Sequence, residues 1–338
     1  MSAKKEVGQM GFADAITADL GGKRTAAFLE ALDVKVPWAR LAAPIEKLYG
    51  RPPGTAGAPH YPAVLMFKAV MLAKWHHLSD PQLEEQLRDR LSFRRFVGLS
   101  LSDPTPDETS FVLFRRLLRE SGLEKTLFNG CLAHLEKENL VVKEGTLIDA
   151  TILEAPAPRK HKDGTKKGGD AEASYTLKAG QIRYGYKGYI ATDRRAVVKD
   201  YHLDTAKTHE VKHLLRLARK EKHAVFADSA SRDQKRAARL HRRGVLTFIM
   251  PKRERGQGKL TGLQKRVGRA IASVRAAVER PFAWMKNRGY WKVRYRGLKR
   301  NSLDLGLTLM AHNLAASLTL TAVNQEAWSL GLQPAAAW

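Results

Sequence analysis

Three acids in this 338-residue chain sit where an acid is costly unless it has work to do. Asp149 lies inside the β-branched run Leu147-Ile148-Asp149-Ala150-Thr151, and Asp228 ends the apolar run Ala224-Val225-Phe226-Ala227. Glu279 follows Val278 on a helix-period stripe of Val267, Ile271, Val274, Val278, Phe282 and Met285. A carboxylate at the border of a core needs a base or a bound cation to offset its burial. Carboxylate oxygens are hard ligands, and three converging from separate elements suit two Mg²⁺ ions held roughly 4 Å apart. Such ions activate a water or hydroxyl and neutralise a leaving oxygen at phosphorus. Arg275, Glu279 and Lys286 share one helix face, so bases flank the third acid.

The bulk charge points to the partner. Fifty-nine Lys and Arg against thirty-four Asp and Glu give a net charge of +25, which favours a polyanion, nucleic acid first among them. The excess is concentrated, with sixteen bases and only Glu254 and Glu279 as acids between Lys252 and Arg300. Within it, Tyr290, Trp291 and Tyr295 alternate with Lys292, Arg294, Arg296, Lys299 and Arg300, a mixture suited to a DNA groove or a splayed end. The single cysteine, Cys131, excludes an internal disulfide framework and a cysteine-cluster zinc site, and its helical spacing reads as a small buried hydrophobe. No apolar run reads as a membrane span, and Met1 to Met10 lacks the core of a signal peptide, so a cytosolic protein is expected.

The elements that must position these residues fall into two kinds. Thr25 to Leu32, Ala63 to His77, Gln82 to Arg90, Leu91 to Val97, Asp107 to Glu120 and Leu123 to Glu138 are helical patterns. Thr105-Pro106-Asp107-Glu108 reads as a capping box with Thr105 as the cap, and residues 51–62 as a Pro/Gly loop. Residues 63–138 thus resemble helix-turn-helix domains. From Gly145 the pattern turns to strands over 146–153, 182–192, 196–203, 224–228 and 245–250, interleaved with helices over 209–219, 232–243 and 263–286. That order predicts a mixed sheet flanked by helices, in which the first and fourth strands can be neighbours and bring Asp149 beside Asp228. His312-Asn313, on an apolar helix over 302–323, and His76-His77 read as packing residues.

On these residues the chain resembles the DDE transposases of bacterial insertion sequences, in the broad group of insertion-sequence families four and five. Their last catalytic helix carries the signature Y-x2-R-x3-E-x6-K. Arg275, Glu279 and Lys286 match three of its four positions, and Ala272 stands at the tyrosine position. The runs Ile148-Asp149-Ala150-Thr151, Tyr184-Gly185-Tyr186-Lys187, Phe226-Ala227-Asp228-Ser229 and Pro106-Asp107-Glu108 are also similar to the family. Only 51 residues separate Asp228 from Glu279, too few for the inserted β domain of some relatives, so the compact, family-five-like form is expected.

The resemblance implies an α/β, ribonuclease-H-like domain with a mixed five-stranded sheet over 143–323, preceded by an all-helical DNA-binding and dimerisation domain over 63–142. Residues 1–62 would be an N-terminal segment and 324–338 a tail. Asp149, Asp228 and Glu279 would be the catalytic metal ligands for two Mg²⁺, with Mn²⁺ able to substitute. Arg275, Arg280, Lys286, Arg288, Tyr290, Trp291, Lys292, Arg294, Arg296, Lys187, Arg115 and Arg116 would contact DNA. The partners implied are terminal inverted repeats, target DNA and a second copy in a homodimeric synaptic complex, with no membrane, in the bacterial cytoplasm on the nucleoid. The rival expectations are a stand-alone metal-dependent nuclease and an inactive, DNA-binding transposase remnant.

Overall fold

The computed structural model describes residues 23–49, 60–160, 166–178, 180–253 and 256–329. Phe12 to Leu20, a further short helical pattern in the sequence, and most of the 51–62 loop lie outside them. The described residues form two compact units. One holds those up to Ala133 together with Leu314–Val323; the other holds His134–Asn313 and the residues from Asn324.

The first unit is helical: α1 Lys23–Lys35, α2 Trp38–Tyr49, α3 Ala63–His76, α4 Asp80–Asp89, α5 Leu91–Val97, α6 Glu108–Glu120 and most of α7 Glu124–Lys137. Its core starts well before residue 63. Trp38 packs edge-on against Phe67, Trp75 and Phe96, and Leu29, Leu32, Leu41 and Ile45 are buried. Helix α3 is apolar on every side, so it is buried almost throughout. Ser79 and Gln82 form a reciprocal cap for α4. At α6 the cap differs from the sequence expectation. Asp107 Oδ1 accepts the N–H of Ser110 at 2.7 Å, while Thr105 Oγ1 accepts from the buried Arg94 at 3.1 Å. The carboxylate two residues nearer the helix reaches its free N–H groups better than the threonine does. Cys131 is buried, and burial pushes its thiol up to about 12.

The second unit is built on β1 Thr146–Glu154, β2 Arg159–Lys160, β3 Lys166–Lys167, β4 Ser174–Lys178, β5 Gln181–Thr192, β6 Val198–Thr205, β7 Ala224–Ala227 and β8 Leu246–Ile249. Its helices are α8 Val211–Leu217, α9 Gln234–His241, α10 Gly262–Lys286 and the first half of α11 Leu298–Ser329. The main sheet has six strands, not five, with central order β6-β5-β1-β7-β8. β5 is antiparallel to both β1 and β6, while β1, β7 and β8 run parallel, the strand arrangement of a ribonuclease-H-like fold. The additional strand, β4, pairs with the first half of β5, on the side away from β1. Gly185 belongs there because a Cβ would run into the Leu153 carbonyl of the adjoining strand.

One face of the sheet buries Ile148, Ala150, Tyr189, Ala191, Val225 and Ala227 against Leu214 and Leu217 of α8 and Leu240 of α9. Helix α10 packs on β1, β5 and β7 through a buried stripe of Ile271, Val278, Phe282 and Met285, and continues through Pro281. Asn313 bonds both ways to Val198, its amide donating to the carbonyl and accepting from the N–H at 2.9 Å each, which satisfies edge strand β6. By length and composition α11 could cross a bilayer, a feature the sequence reading did not find. Here more than half of its most apolar part is buried inside the protein, and Leu303, Leu307, Leu309 and Met310 serve as core.

Candidate active site

Parallel pairing sets the first two acids side by side. The β1–β7 register runs through Ile148↔Ala227, and Asp149 and Asp228 are the next residue on each strand. Asp149 Oδ1 accepts the Ala150 N–H at 2.9 Å. Asp228 leaves its strand and caps the short turn Ser229–Ser231, accepting the Ser229 N–H at 2.6 Å. Arg275 on α10 serves both, with Nη2 3.5 Å from Asp149 Oδ1 and Nη1 3.9 Å from Asp228 Oδ1. Only 14% of the Arg275 side chain is exposed, so the guanidinium is held in the gap, and its buried Nε has no hydrogen-bond partner among the described residues. Burial pushes the Asp149 carboxyl above its ordinary range; the Ala150 N–H and Arg275 oppose the shift, and Asp228 adds to it.

Glu279 is one turn beyond Arg275 on the same helix and is exposed. Among the described residues, the one trio of ligand-type side chains with all ligand atoms within 4.8 Å of one another lies elsewhere, so Asp149, Asp228 and Glu279 are not gathered that tightly. A different acid is closer in effect. Glu210, just before α8, has Oε1 3.8 Å from Lys187 Nζ. Burial raises its carboxyl, Lys187 opposes, and both Asp149 and Asp228 add to the rise, which puts Glu210 within electrostatic reach of the aspartate pair. In the sequence it is hidden at the polar start of the helix read over 209–219, beside Thr208 and His209, with no apolar strand around it to mark it.

The basic segment after α10 is lashed to the sheet. The Glu154 N–H donates to the Trp291 carbonyl at 2.9 Å, and the Val293 N–H to the Glu154 carbonyl at 2.8 Å, so this stretch extends the end of β1. Asp170, also unremarked in the sequence, accepts from Tyr186 Oη at 2.7 Å and from the Gly297 N–H at 3.0 Å, anchoring the far end. Trp291, Lys292, Arg294 and Arg296 are exposed, with Lys292 4.1 Å over the Trp291 ring. Arg280 and Lys286 are exposed too, and Arg288 stacks 4.0 Å over Trp284.

Two expected DNA contacts face inward instead. Tyr290 is 5% exposed, its ring covered by Arg294, because the turn after α10 folds it back onto the core. Arg115 is buried on α6 and paired with Asp80, whereas its neighbour Arg116 is exposed. Adjacent residues on a helix point to different sides, so only one of the two bases meets solvent.

The two groups that Arg275 pairs with are carboxylates, one of them in surroundings that penalise its charge. That set fits a hard divalent cation, with Asp149 and Asp228 as the residues that would hold it.

Residues 19–117 match a Transposase domain (DUF772). A solved structure of a piggyBac transposase synaptic complex with hairpin DNA aligns with a TM-score of 0.45 and 9% identity, over 92% of this chain and 77% of that one. Residues 142–314, about half of the chain, match the Transposase DDE domain, and the chain therefore belongs to that family of metal-dependent transposases that cleave DNA and transfer strands.

Proposed function

We propose that the chain binds the terminal inverted repeats of a compact, family-five-like insertion sequence, hydrolyses DNA at its ends and joins the freed 3′-hydroxyls to target DNA. The observation that carries this reading is the juxtaposition of Asp149 and Asp228 around Arg275, inside the matched domain of a strongly basic chain. Asp149, Asp228 and Glu279 would hold two Mg²⁺, or Mn²⁺ in their place; the bound ions supply a lowered pKa for the attacking water or hydroxyl and charge neutralisation for the leaving oxygen. Arg275 and Lys286 hold phosphates beside the acids, and Arg280, Arg288, Trp291, Lys292, Arg294, Arg296 and Lys187 follow the backbone. The helical unit, with Arg116 exposed, recognises the repeats and joins two copies into the synaptic complex. The work is done in the cytoplasm, on nucleoid DNA.

The test is a cleavage and strand-transfer assay on DNA ending in the element's repeats. Wild type with Mg²⁺ cuts and joins, while Asp149→Asn and Asp228→Asn abolish both and retain end binding. Cutting without joining identifies a stand-alone nuclease, and specific binding without metal-dependent cutting identifies a remnant; either result overturns the reading.

A further inference from the structure

Apart from the aspartate pair, β6 and α8 bring together three ligand-type side chains that strand cleavage does not use. His202 and Asp204 are two residues apart on β6 and so project from one face of that strand. His213, in the first turn of α8, packs on the same face. The imidazole nitrogens and the carboxylate oxygen all lie within 4.8 Å of one another. His213 Nε2 is 3.0 Å from Asp204 Oδ2, and the two imidazole rings are 4.5 Å apart between centroids. Only 11% of the His213 side chain and 27% of that of Asp204 are exposed.

We propose that His202, Asp204 and His213 form a binding site for a transition cation of the Zn²⁺ kind, stapling α8 to the sheet edge. Two imidazoles and a carboxylate suit Zn²⁺, Co²⁺ or Ni²⁺, whereas Mg²⁺ prefers oxygen ligands alone. Metal–ligand bonds of about 2.1 Å put tetrahedral neighbours roughly 3.4 Å apart, so the 3.0 Å His213–Asp204 spacing needs only a small opening. Three protein ligands leave a fourth position for water. Arg216 competes for His202, with Nη1 3.4 Å from His202 Nε2; its side chain is exposed and can turn outward. A structural His213–Asp204 hydrogen bond alone would need no second imidazole facing the same point. The clamp also bears on the aspartate pair, because Glu210 immediately precedes α8.

The experiment uses the full chain, stripped with chelator and titrated with Co²⁺ and Zn²⁺ under a large excess of Mg²⁺. One equivalent should bind, Co²⁺ should give the intense visible absorption of a four-coordinate imidazole site, and Zn²⁺ should raise the melting temperature. His202→Ala, on the sheet edge, should weaken binding by more than the about 10–100-fold that loss of an outer-shell partner costs. Asp204→Asn should do the same, and His77→Ala should change nothing. Wild-type binding by His202→Ala, a weak six-coordinate Co²⁺ spectrum, or no binding under excess Mg²⁺ would each overturn the proposal.

Discussion

Arg275 Nη2 lies 3.5 Å from Asp149 Oδ1, and the other end of the same guanidinium reaches Asp228. One base thus bridges two acids that adjoining parallel strands force together and offsets part of their charge. Replacing Arg275 with Gln should destabilise the metal-free protein by about 1–3 kcal/mol, the range for leaving a buried polar group without its partner. Saturating Mg²⁺ should then raise the melting temperature of the variant more than that of wild type, because the cation takes over the neutralisation. Melting curves with and without Mg²⁺ decide it; equal shifts in both proteins would place the cation elsewhere.

The third acid is the next question, since Glu279 is exposed while Glu210 is within electrostatic reach of both aspartates. The expectation is that Glu279→Gln abolishes Mg²⁺-dependent cleavage and that Glu210→Gln lowers it by only about 10–100-fold, as loss of an outer-shell partner does. Single-turnover cleavage rates of the two variants make the comparison. The opposite ranking would give Glu210 the role assigned to Glu279.

Much of this layout is legible in the sequence, and the omissions have physical causes. β1, β5, β6, β7 and β8 announce themselves as apolar or β-branched runs with acids, Gly or Pro at their ends. β4 does not, because Ser174–Lys178 is a largely exposed ribbon whose Leu177 is 69% exposed. The side-by-side placement of Asp149 and Asp228 follows from strand order alone. Charge counting fails where it must distinguish Arg115 from Arg116, because burial depends on which side of α6 meets the rest of the unit. His202, Asp204 and His213 carried a readable signal, alternate residues on a strand followed by a histidine on the next helix.

Arg115 and Arg296 offer a contrast that a binding assay alone would miss. Arg296 is exposed, so Arg296→Ala should leave folding unchanged and reduce the slope of log affinity against log salt by about 1. Arg115→Ala leaves Asp80 without its buried partner and should cost about 3–5 kcal/mol of stability. Salt-dependent DNA binding and urea unfolding, run on both variants, separate the two roles. A normal urea midpoint for Arg115→Ala would show that its pairing with Asp80 is dispensable.

His312 supplies a pH dependence. Burial lowers its pKa from the ordinary 6.5 to about 4, so the folded protein disfavours the protonated ring. Stability present above pH 6.5 is therefore lost as the pH falls from 6.5 toward 4, by about 3 kcal/mol in all. Urea unfolding at stepped pH should show this loss in wild type and much less of it in His312→Gln. Parallel pH profiles for the two proteins would assign the loss to other groups.

The closing helix α11 is shared, with Leu314–Val323 counted among the N-terminal helices and the residues before it among the sheet-bearing half. Lys35 Nζ donates to the Ser317 carbonyl at 3.3 Å, tying that late segment to the start of the chain. The polypeptide therefore leaves its first module, builds the second, and returns to add Leu314–Val323 to the first. Recombination between related genes could not exchange the helical head at a single crossover, since the incoming head would meet a foreign Leu314–Val323. Inheritance of the two halves as one block is the consequence.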